Sequence, residues 1–124
     1  MANSALNPIG NAGVKLVTLD TTGTVNIRNA FGSSKIGSWR LQIVPGGASP
    51  GSLVLRQRLH GSDLSGANWL TMIYYDDSTS TVASAGTAIT AAKILTVIAD
   101  RTDVQLDYTS GVDGMSVYVS PLNG

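Results

Sequence analysis

Several stretches of this chain set an apolar side chain at every second position, and a period of two fits a strand and not a helix. Trp39, Leu41 and Ile43 alternate with Ser38, Arg40 and Gln42. Leu53, Leu55 and Leu59 alternate with Val54, Arg56 and Arg58, with Gln57 interrupting the apolar side. Val104, Leu106 and Tyr108 alternate with Gln105 and Asp107, and Met115, Val117 and Val119 with Ser116, Tyr118 and Ser120. Each pattern is that of an antiparallel strand with one face on a core. The acidic residues agree: all eight are aspartate, a poor helix former, and none is glutamate, a good one.

Strands are expected over Val14 to Leu19, Thr24 to Asn29, Ser38 to Val44, Ser52 to His60 and Asn68 to Tyr75. They continue with weak segments at Ser80 to Ala85 and Thr87 to Ala91, then Lys93 to Ala99, Val104 to Tyr108 and Met115 to Val119. A helix over Thr87 to Ile98 competes, because alanines are frequent there, but Ile94, Thr96, Val97 and Ile98 favour strand. Gly, Asp, Asn and Ser mark the turns, most strongly from Pro45 to Gly51. The last two strands read as a hairpin around Gly111 to Gly114. The expected fold is all-β: an antiparallel β-sandwich or jelly roll of about eight short strands over residues 14–124. Small polar residues from Met1 to Gly13 read as an extended N-terminal arm, ordered only where something holds it.

A chain of 124 residues is one domain and can bury a core without staples. It has no cysteine, which excludes disulfides and thiolate metal sites and suits synthesis in a reducing cytoplasm. The formal net charge is zero, only 13% of residues are charged, and no Lys/Arg run tracks phosphates, so nucleic acid is not an expected partner. No signal peptide or bilayer-spanning segment is expected either. A hydrophobic fraction of 43% with so little charge points to a surface partly covered by a partner.

No catalytic constellation is visible. His60 is the only histidine, which excludes a multi-histidine metal site, and no serine lies in a nucleophile-elbow pattern. Asp76 and Asp77 are adjacent; on a strand they point apart, and in a turn they cap backbone N–H groups, so calcium is the weaker reading. Asp100 and Asp103 read as turn residues and Asp107 as solvent-facing. Arg40, Arg56 and Arg58 would share one surface if their strands paired. No catalytic, cofactor-binding or metal residue is assigned, and the chain is not expected to be an enzyme.

The segments Gly86-Thr87-Ala88-Ile89-Thr90-Ala91, Val104-Gln105-Leu106-Asp107-Tyr108-Thr109-Ser110-Gly111 and Met115-Ser116-Val117-Tyr118-Val119-Ser120-Pro121-Leu122 resemble small structural proteins of tailed bacteriophages. The resemblance is one of style, covers about the last third of the chain and carries no catalytic residue. It implies a capsid decoration (cement) protein or a tail component. Such a protein works as a homo-oligomer, often a trimer, against the major capsid protein or other virion proteins, and resides in the virion after synthesis in the host cytoplasm. The interface is expected to draw on Leu6, Pro8 and Ile9 of the arm and on Trp69, Leu70, Met72 and Tyr74 of a strand apolar on both faces. Arg56, Arg58 and Tyr118 complete it. The competing reading is a carbohydrate- or receptor-binding module of a tail fibre or baseplate, stacking sugars on exposed aromatics.

Overall fold

The computed structural model describes residues 7–9, 14–27, 38–59, 68–99 and 102–122. Among the described residues eleven strands form two antiparallel sheets: β1 (Asn7–Ile9), β2 (Val14–Leu19), β3 (Gly23–Asn26), β4 (Trp39–Pro45), β5 (Gly51–Leu59), β6 (Leu70–Thr71), β7 (Tyr74–Asp76), β8 (Thr81–Ala83), β9 (Lys93–Val97), β10 (Thr102–Ser110) and β11 (Met115–Pro121). The larger sheet runs β1-β2-β11-β4-β9-β7-β8 and the smaller β3-β10-β5-β6. The fold is an all-β sandwich, as the alternation predicts, and Lys93–Val97 is strand, not helix.

Period two builds the core directly. Trp39, Leu41 and Ile43 of β4, Val117 and Val119 of β11 and Leu95 and Val97 of β9 point inward from the large sheet. Leu53 and Leu55 of β5 and Val104, Leu106 and Tyr108 of β10 meet them from the small one. Together they form one buried cluster. Leu59 departs from its expected inward place: it is 60% exposed at the end of β5, where it pairs with the first residue of β10 and has run past the core.

Two connections differ from the expected ones. β10 and β11 are not a hairpin: β10 lies between β3 and β5 in the small sheet, and β11 between β2 and β4 in the large one. Residues 111–114 are an arch across the sandwich. The β2–β3 and β4–β5 connections cross between the sheets at the same end. Likewise, Asn68 to Tyr75 is not one strand. Met72 N–H still donates to Leu55 O (3.2 Å), and then the chain leaves β5 and pairs with β9 in the other sheet. Asp103, expected in a turn, lies within β10 and is 4% exposed. The weak segment Thr87 to Ala91 contributes a single bridge, Leu53 to Ile89.

The three arches lock together. Asp113 N–H donates to Ser49 O (2.9 Å), Ser49 N–H to Asp113 Oδ2 (2.8 Å), and Ser110 N–H to Thr22 Oγ1 (2.9 Å). Gly51 permits the close approach: its φ is +85°, and a Cβ there would run into the Thr109 carbonyl oxygen. Gly51→Ala should therefore cost roughly 2 kcal/mol from left-handed backbone and crowding together, read as a lower urea midpoint with an unchanged slope.

Within the expected arm, Asn7–Ile9 is held as β1, with Pro8 opposite Lys15 and Ile9 opposite Val14. The rest of the arm, including Leu6, lies outside the described residues, as do Phe31, His60 and Asp100.

Candidate interaction surface

The two sheets turn very different faces outward. On the small sheet the outward positions are mainly polar: Thr24, Gln105, Asp107, Arg56, Arg58, Ser52 and Thr109. Arg56 Nε donates to Asp107 Oδ2 at 2.8 Å, and the Arg58 guanidinium stacks 4.3 Å over the Trp69 ring. Arg56 is paired across the strands and Arg58 lies on an aromatic ring of the same chain, an arrangement that suits a face turned to water.

The large sheet turns out more apolar side chains, set among the polar Thr18, Ser116, Ser120, Gln42 and Thr96. Its outward rows are read from the register: Leu16, Tyr118, Gln42 and Ile94 form one, Ser120, Arg40, Thr96, Tyr75 and Val82 the next, and Thr18, Ser116 and Val44 a third. Among the described residues Val44, Tyr75, Val82, Ile94 and Ile98 are exposed on this face or at its end, Val82 at 62% and Ile98 at 70%. Arg40 is its only cation and Asp77, just beyond β7, the carboxylate beside it, again among the described residues. The two lie 3.5 Å apart, and Thr96 Oγ1 donates to Asp77 Oδ2 at 2.8 Å. The face therefore carries no net charge. One groove lies on it, lined by Val14, Arg40, Leu41, Gln42, Ile94, Tyr118 and Ser120; a second opens where the chain passes between the sheets, lined by Gln57 of β5 and by Met72, Ile73, Tyr74, Tyr75, Val82, Thr96 and Ile98.

Asp76 and Asp77 point to opposite sides of β7, as the strand period requires. Asp76 is buried at 6% exposure, accepts from Lys93 Nζ (3.0 Å) and caps Ser78 N–H through Oδ1 (2.9 Å). The Lys93 hydrogen bond, the Ser78 N–H and the lysine charge hold its carboxyl below the usual 3.8 against the opposing effect of burial. Burial pulls Lys93 down, but the Asp76 hydrogen bond and the nearby Tyr74 and Asp76 charges outweigh it, so its pKa is raised above 10.5. Both shifts favour the ionised pair, a structural tie between β7 and β9. No group of three or more His, Cys, Asp or Glu side chains gathers among the described residues.

The residues singled out from the sequence do not form one surface. Arg56, Arg58, Trp69 and the 66% exposed Leu70 lie on the small sheet or its edge. Tyr118 lies on the opposite, large-sheet face. Arg40 is also there, so the three arginines share no surface: β4 and β5 are consecutive but belong to different sheets. Met72 and Tyr74, expected at an interface, are 4% and 3% exposed, packed in this chain's own core beneath the groove between the sheets. Ile94, Val82, Val44 and Ile98 were missed. For Ile94 and Ile98 the signal was present in Lys93 to Ile98, which is apolar at outward as well as inward positions.

No protein-family profile, no curated protein and no solved structure matches this chain.

Proposed function

We propose that this chain is a non-enzymatic structural protein that works by burying surface against other proteins, and that its setting is the virion of a tailed bacteriophage, as a capsid decoration (cement) protein. One observation carries the first part: the outer face of the large sheet exposes Val44, Tyr75, Val82, Ile94 and Ile98 and carries one opposite-charge pair, while the outer face of the small sheet is mainly polar. Isolated apolar residues are ordinary on a surface, but a contiguous sheet face of them marks contact with another molecule. The phage setting rests on the resemblance in the last third of the chain. Its partners are then further copies of itself and the major capsid protein or other virion proteins.

Purified particles from the source of this chain should contain it in stoichiometric amount, and particles made without it should release their genome at lower temperature. Particles that lack the chain altogether would overturn the virion setting.

A receptor- or carbohydrate-binding module is the second reading. What favours it is Tyr118, set in a groove beside Arg40, Gln42 and Ser120, a ring flanked by hydrogen-bonding groups. Glycan-array binding that disappears in Tyr118→Ala would select this reading over the first.

A further inference from the structure

We infer that the outer face of the large sheet is covered by the same face of a second copy of this chain, across a two-fold axis running between Arg40 and Asp77. The inference rests on reading this face as a covered one and names what covers it.

Charge comes first. Arg40 and Asp77 lie 3.5 Å apart, and the Arg40 side chain is still 54% exposed. In a two-fold contact, residue i of one copy meets residue j of the other, and j meets i. With the axis in the plane between the faces and passing between these two residues, each Arg40 lies opposite the other copy's Asp77. The single cation and carboxylate described on the face then complement themselves twice, and no like charges meet. The whole chain, at zero net charge, adds no repulsion.

Position comes second. β4, which carries Arg40, is the central strand of the seven. An axis near it centres one sheet on the other and brings apolar residues such as Ile94, Tyr75 and Tyr118 into the middle of the contact. Size comes third. From β2 to β8 the face is roughly 30 Å wide and tapers from about 20 Å at β2, β11 and β4 to about 10 Å at the three-residue β7 and β8, about 500 Å² before side-chain relief is counted. With that relief it approaches the roughly 800 Å² per partner of a standard specific interface. The trimer implied by the phage resemblance would need two different patches on each copy; this face is one patch that matches itself.

Sedimentation velocity and native mass spectrometry on Arg40→Asp, Asp77→Arg and Ile94→Lys test it. The unaltered chain should have the mass of two copies at about 100 µM, with each variant weakened at least ~10-fold in association. Arg40→Asp places like charges opposite Asp77, and Asp77→Arg places them opposite Arg40. An equal mixture of the two should recover a two-chain species containing one of each, because every cross-copy contact is then opposite in sign. A pair acting only within one chain gains nothing from mixing. A one-chain or three-chain mass for the unaltered protein, or a mixture that stays single, would overturn the two-fold. Association untouched by Ile94→Lys would overturn the face. Absence from virions would refute the virion setting and leave this result standing; a monomer found in virions would do the reverse.

Discussion

Tyr108→Ala should destabilise the fold by about 4 kcal/mol or more, close to the whole stability of a small domain. Tyr108 is fully buried on β10, the strand between β3 and β5. Its ring is fully buried at the arch end of the core, and its hydroxyl donates to the Pro50 carbonyl at 2.5 Å in the β4–β5 arch. Truncation removes the ring and leaves that carbonyl without its donor. Tyr108→Phe separates the two effects. It keeps the ring and should cost only about 1–2 kcal/mol, the penalty for an unsatisfied buried acceptor. Urea unfolding monitored by tryptophan fluorescence measures both, and an alanine variant within about 1 kcal/mol of wild type would contradict this account of the core.

Asp76→Ala should cost about 3 kcal/mol, because it leaves Lys93 as a largely buried charge without its carboxylate. The Lys93 and Asp76 side chains are 21% and 9% exposed, so solvent does little to replace the lost partner. Replacing both members by Asp76→Leu and Lys93→Met should recover much of the loss, since no charge then remains to be desolvated. The pH dependence follows from the two shifts. Asp76 titrates below its ordinary 3.8, so its contribution is fully present above that value and lost as pH falls through the folded pKa. Lys93 titrates above 10.5, so its contribution is present below that value and lost as pH rises through the folded pKa. The stability gap between wild type and Asp76→Ala should therefore be flat from about pH 5 to 9 and shrink on the acid side below about pH 4. A gap unchanged at pH 3 would show that the pair is not what Asp76 supplies.

Strand positions and inward faces were legible in the sequence wherever alternation was strict, as in Trp39 to Val44, Val104 to Tyr108 and Met115 to Val119. Which strand pairs with which was not. Val104-Leu106-Tyr108 and Met115-Val117-Val119 satisfy a hairpin and an arch equally, since both bury one face of each strand. The difference lies in the backbone approach of residues 111–114 to Ser49 and Gly51, a long-range contact that no local pattern encodes. The same ambiguity misplaced the arginines: Arg40 and Arg56 are outward on successive strands, yet the arch between them puts them on opposite sides of the molecule. Asn68 to Tyr75 misled for a related reason. Its alternation runs unbroken through Met72 and Tyr74 while the chain changes sheets, so two short strands look like one strand with two apolar faces. The outward apolar row of β9 was visible, but a mixed apolar stretch reads first as core, and Ile94 and Ile98 were absorbed into it.

The two strands nearest the C-terminus occupy the middle of the sandwich, β10 between β3 and β5, and β11 between β2 and β4. A nascent polypeptide leaving the ribosome therefore cannot complete either layer until β10 and β11 have emerged. Until then β2 and β4, and β3 and β5, each lack the strand that joins them, and their hydrogen-bonding edges stay open to stray pairing. Closing each layer therefore depends on non-local strand pairing, the kind that folds slowly.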